Sequence, residues 1–218
     1  MIHDDVFLPR DVPLWNEAKP FLDVRNNDEH TIIAYALART LLAEIPEADE
    51  RIVLPAILLH DVGWKRVPPE LLLEAVGRKP TRPDLVRDHE LYGVEIAREI
   101  LERHRPDGVD IDAVLNIIDG HDTTTHAKNI EDAVVKDADK AWRTTPHGMR
   151  TIGGWYDVPI SQILLMLSER SNGYMLTGPG RALAKGQTEA VRSEMMIQKY
   201  LGHGPEFTQI IAEEGVEW

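Results

Sequence analysis

Along nearly the whole chain the apolar residues recur at the three- and four-residue spacing of a helix, and no stretch alternates persuasively as a strand. That pattern predicts an all-α chain. The spacing places helices from about Asp28 to Ala43, Asp49 to His60, Pro83 to Arg103, Ile111 to Asp119 and Glu131 to Arg143. Two more follow, from about Ile160 to Glu169 and Arg181 to Leu201, the latter after the Gly178-Pro179-Gly180 break. The segment Arg25-Asn26-Asn27-Asp28 is in place to cap the first helix. Pro55 implies a kink in the second or a later start for it. Thr144 to Asp157, with Pro146, Gly148, Gly153 and Gly154, reads as a loop placed to act as a lid.

Length and charge narrow the class. The 218 residues suit one domain with a real core, 1–218, and 43% hydrophobic with 28% charged residues is a globular composition. A formal net charge of −13 and the lack of any Lys/Arg-rich run argue against a nucleic-acid partner. The longest strongly apolar stretch, near Ile52–Leu59, is far too short to span a bilayer, so no membrane role is expected. Met1 to Arg10 is polar and acidic and reads without a signal peptide, which makes the cytoplasm the expected compartment. There is no cysteine, so any metal must be held by nitrogen and oxygen.

Four of the nine histidines and some nearby acids fall where they need a partner. His30 shares a helical face with Ile33, Ala34, Leu37 and Leu41, and His60 lies on the face of Val53, Ala56 and Ile57, with Asp61 beside it. His89 lines up with Tyr92, Gly93, Ile96 and Ile100, while His121 follows Val114, Ile117 and Ile118. Asp139 is bracketed by Val135 and Trp142. A buried carboxylate or imidazole without a partner is costly, and one divalent cation satisfies several together. Singly, each of these residues reads more readily as a hydrogen-bonded core or surface group; their coincidence on five helices points to a metal. His3, His104, His126, His147 and His203 lack an inward face and are read as ordinary, with His126 the closest to the motif.

His30, then Leu59-His60-Asp61-Val62-Gly63, then Ala138-Asp139-Lys140 resembles the HD-domain superfamily of metal-dependent phosphohydrolases over roughly Asn26 to Trp142. The resemblance implies a single compact helical bundle with its metal-binding core at about 26–142 and C-terminal helices at 160–201 packing on it. It also implies His30, His60, Asp61 and Asp139 as metal ligands, with Asp137 either solvated or outside the ligand set. Some branches add two histidines for a second metal, and Asp88-His89-Glu90 and His121 look like these, with Asp61 then bridging. Otherwise His89 and His121 would contact the phosphate. The expected cofactor is one or two divalent ions of iron, manganese, zinc, cobalt or nickel.

The implied activity is hydrolysis of a phosphoric ester, a nucleotide or another small phosphorylated molecule, through attack of metal-bound hydroxide with Asp61 as the catalytic carboxylate. Arg25, Lys65 and Lys140 are the expected substrate-binding cations. Many relatives carry lysine three residues after the Asp of the doublet; here Trp64 stands there and Lys65 follows. Two alternatives stay open: a di-iron oxygenase cleaving a C–C or C–P bond, and a non-catalytic nucleotide-sensing module. A homo-oligomer is compatible with all of these readings.

Overall fold

The computed structural model describes residues 5–76 and 80–202, and within them the chain is helical throughout, with no strand. In order the helices are α1 (Val12–Leu22), α2 (Asn27–Glu44), α3 (Glu50–Leu59), α4 (Leu72–Val76), α5 (Asp84–His104), α6 (Ile111–Ile118), α7 (Ile130–Trp142), α8 (Pro146–Tyr156), α9 (Ile160–Tyr174) and α10 (Gly178–Leu201). A 3₁₀ turn, Val62–Arg66, follows α3. None of the described helices is long and apolar enough to cross a membrane. The all-α class expected from the spacing is what the structure shows. His3 and His203 lie outside the described residues.

The sequence reads as one domain; the chain divides between Asp139 and Lys140 into two compact units. In the first unit α3 is the central element. Every residue from Val53 to Trp64 is buried, which is why this segment is an apolar run without the polar face that other helices carry. Burying each large aliphatic side chain of such a run stabilises the fold by roughly 1.5–3 kcal/mol. Asp49 caps α3 by accepting from the Arg51 amide, so the helix starts at Glu50 and runs on through Pro55. Around it, α2 contributes Ala34, Tyr35, Ala38 and Leu41, α5 contributes Ile96, Ala97, Ile100 and Leu101, and α6 contributes Val114, Ile117 and Ile118.

Several local features differ from the sequence reading or were absent from it. Asn26 does not cap α2 with its side chain; it takes a left-handed conformation, and the Asp28 carboxylate accepts from the Glu29 amide instead. Helix α1 carries Pro13 in its first turn, where no N–H is needed, and buries Leu14, Ala18 and Leu22 on one stripe. Its second proline, Pro20, disguises that stripe in the sequence. In the second unit, Thr144 to Asp157 is not a loop but holds α8. Thr145 caps it by accepting from the Gly148 amide, Pro146 occupies the first turn, and Asp157 closes it in a left-handed conformation. A Cβ on Gly148 would overlap the Trp142 carbonyl, so this glycine marks a close approach rather than a break. Likewise Gly178-Pro179-Gly180 forms the first turn of α10, where the Thr177 hydroxyl accepts from the Gly180 amide.

Candidate metal centre

The apolar run of α3 carries His60 and Asp61 to the middle of the first unit, where both are buried. A close backbone crossing then brings α5 against them. A Cβ on Gly63 would overlap the His89 carbonyl oxygen and the Gly93 amide nitrogen, and one on Gly93 would stand 3.4 Å from the His60 carbonyl oxygen. Only glycine at the first of these positions allows the approach. It sets His89 next to the doublet. His30 arrives from α2, Asp139 from α7, and His121 from the turn after α6.

These six side chains converge in two groups that share Asp61. His30 and His60 face each other through Nε2 at 3.0 Å, with Asp139 Oδ1 3.3 Å from the first and 3.7 Å from the second. Asp61 Oδ2 closes that group, 3.5 Å from His60 Nε2 and 3.7 Å from His30 Nε2. On the other side, His89 and His121 face each other through Nε2 at 3.3 Å. Asp61 Oδ1 lies 3.7 Å from the one and 3.6 Å from the other. A further carboxylate, Asp122, belongs to this second group.

The tautomers suit a cation. His60 Nδ1 donates to the Ile57 carbonyl at 2.8 Å and His121 Nδ1 to the Ile118 carbonyl at 2.9 Å. A carbonyl only accepts, so each neutral ring carries its proton on Nδ1 and turns an Nε2 lone pair to the centre. The electrostatics agree. Burial opposes ionisation of Asp61, but the fields of His60, His121 and His30 outweigh it and hold the carboxyl far below its usual range. Burial also opposes charge on His121, yet its hydrogen bond to Asp61 and the fields of Asp122 and Asp61 raise it to about 9. His89, buried and facing His121, is lowered to about 4. The centre therefore favours added positive charge, which a divalent cation supplies without the repulsion that two adjacent imidazolium ions would suffer.

A family model for the HD domain matches residues 27–142, more than half of the 218-residue chain. The chain belongs to the HD-domain family. The match nearly coincides with the stretch, Asn26 to Trp142, over which the sequence motifs run. HD domains bind divalent metals and form a superfamily of metal-dependent hydrolases. Comparisons with curated proteins and with solved structures returned no match.

Within this HD domain, several residues hold the centre that the sequence did not single out. Trp64, buried, donates from Nε1 to Asp61 Oδ1 at 3.1 Å and stacks on His89 with ring centroids 4.0 Å apart. Glu90, fully buried, accepts from the amides of Asp122 and Thr123 at 2.9 and 2.8 Å and from the Thr123 hydroxyl at 2.7 Å. Arg87 neutralises it at 2.7 Å. Lys136, also buried, donates from Nζ to the carbonyls of Gly120 and His121 at 2.7 and 3.0 Å and to the Thr124 hydroxyl at 2.8 Å. Glu90 and Lys136 thus clamp the turn that carries His121. A lysine on the inward face of α7, one helical turn before Lys140, was the available signal, as was an acid next to His89.

Asp137 is fully buried, which removes the solvated reading, while Asp139 is the acid that meets His30 and His60. Arg25 sets its guanidinium carbon 5.0 Å from the Trp64 ring centroid. The Lys65 ammonium is paired with Asp23 at the surface, and Lys140 follows Asp139 in α7, half-buried. His126 is exposed and His104 pairs with Glu17. In the second unit, His147 accepts from Trp142 Nε1 at 3.2 Å.

Proposed function

We propose that this HD domain is a hydrolase of small phosphate esters, nucleotides among them, working with two divalent ions. His30, His60 and Asp139 would hold one ion and His89 and His121 the other, with Asp61 shared between them. The observation that carries this reading is the position of Asp61, whose two oxygens each face a separate imidazole pair at 3.5–3.7 Å. Ligands about 2.1 Å from one ion stand about 3.0–3.4 Å apart, so each pair with its oxygen needs only a small contraction.

A bound divalent cation lowers the pKa of coordinated water and polarises a phosphoryl oxygen, and a pair can clamp the attacking and leaving oxygens. Asp61, kept ionised by its surroundings, would orient the attacking water rather than take up its proton. Trp64 Nε1–H fixes the plane of that carboxylate through Oδ1. Arg25, stacked over Trp64, is the cation best placed to offset charge on the equatorial oxygens, and Lys65 and Lys140 complete the proposed set. Lys65 would exchange its Asp23 partner for the phosphate. The net charge of −13 favours a small substrate over a polyanion, which the surface would repel.

The test is a panel of nucleotides and phosphorylated metabolites incubated with metal-loaded protein, with release of phosphate or free alcohol as the readout. Chelator-sensitive turnover is expected. Retained metal with no release from any ester would sink the hydrolase reading. Oxygen consumption by iron-loaded protein on polyols or phosphonates would replace it with the oxygenase.

A further inference from the structure

The second imidazole pair differs from the first in one respect. His30 and His60 have a carboxylate of their own, Asp139, besides the shared Asp61. The six-residue set leaves His89 and His121 without one. Yet the residue after His121 is an aspartate, so the chain contains a second His-Asp doublet.

We propose that Asp122 is a ligand of the second ion, the terminal carboxylate that completes His89, His121 and Asp61 Oδ1. The proposal rests on the two-ion reading above. Asp122 Oδ2 stands 3.9 Å from Nε2 of His89 and 3.9 Å from Nε2 of His121, so it faces the point on which both imidazoles converge. Closing to the roughly 3.0–3.4 Å of a common coordination sphere takes well under 1 Å, within reach of a χ rotation.

Its backbone is already in place. The Asp122 amide is bound by Glu90, the Thr123 amide and hydroxyl are bound by the same carboxylate, and the preceding carbonyls of Gly120 and His121 are bound by Lys136. A turn serving only as a connection has no need of two buried charged anchors, whose burial is costly unless they are well paired. The side chain is 23% exposed, so this ligand closes the centre on its solvent side.

The assignment makes the two halves equivalent, each with two imidazoles, one carboxylate of its own and one oxygen of Asp61. It also changes the charge. Three carboxylates against two dications leave one net positive charge to meet an anionic ester, where two carboxylates would leave two.

Metal-stripped full-length protein titrated with Co2+, followed by visible absorption and by metal analysis after desalting, separates the possibilities. The wild type should take up two equivalents. Asp122→Asn and Asp122→Ala should keep the first with unchanged affinity and bind the second at least tenfold more weakly, and His89→Ala should lose the second. Wild-type affinity for both ions in the two Asp122 variants would overturn the ligand assignment while leaving the two-ion reading intact. Uptake of a single equivalent by the wild type would overturn both. Retention of the first equivalent by the variants, together with wild-type far-UV circular dichroism, shows that a lost second ion is not a folding defect.

Discussion

The two halves of the centre use the same imidazole and carboxylate chemistry on different scaffolds. His30 and Asp139 stand within the regular helices α2 and α7, and His60 directly follows α3, so helix packing alone sets the first half. In the second half only His89 stands within a helix, and Trp64 lies flat against its ring. Among the described residues no hydrogen-bond partner meets His89 Nδ1, so stacking takes over the orienting role that a carbonyl plays at His60 and His121. His121 sits on a turn held by Glu90 and Lys136. One half is rigid because its helices are; the other is rigid because buried charges hold its turn. The second should therefore be the easier half to lose.

The largest expected effect removes the comparison altogether. Asp61→Ala deletes the shared carboxylate, and turnover should fall by about 10³-fold or more. Bound metal should drop in both halves while helix content is kept. Full activity in that variant would end the proposed mechanism. Next come His30→Ala and His89→Ala, assayed side by side for metal content. Loss of His89 should leave one tightly held ion, whereas loss of His30 should disturb the half that binds first. Equal losses in the two variants would show that the halves are not separable.

A smaller effect tests the anchoring directly. Glu90→Gln keeps shape but weakens the charged acceptor of the Asp122 and Thr123 amides, and second-half metal affinity should fall by about 10–100-fold. The first half should not change, and a matching fall there would contradict the division. The smallest effect belongs to Trp64→Phe, which retains an aromatic ring against His89 and loses the hydrogen bond to Asp61 Oδ1. A neutral hydrogen bond contributes about 1 kcal/mol, so a change of about fivefold in second-half affinity is expected. Binding isotherms for the two equivalents would reveal it.

The same division explains what could be read from the sequence. The first half was legible because a residue on a regular helix declares its face through its neighbours. His30 among Ile33, Ala34 and Leu37, and Asp139 between Val135 and Trp142, are such cases. The helices α2, α3, α5, α6 and α7 were legible for the same reason. Pro13 and Pro20 obscured α1, and glycines that serve close packing made α8 look like a loop. Asp122, Glu90 and Lys136 obey no periodicity, because a turn after a helix has none and its partners come from helices distant in sequence. In the sequence Trp64 signals itself only by standing where many relatives carry lysine. Its bond to Asp61 emerges from the fold of the 3₁₀ turn.

One residue without a side chain governs how the halves relate. At Gly63 the strand of backbone leaving the doublet lies directly on the backbone of α5, so no rotamer intervenes between them. The gap between the imidazole pairs is thus set by the thickness of a polypeptide, a quantity that evolution can enlarge but cannot reduce. A relative with a methyl group at this point could retain every histidine and aspartate and still have its halves pushed out of step. Counting ligands would score such a chain as complete. Its capacity for two-ion chemistry would have been lost at a position that offers the ions no atom at all.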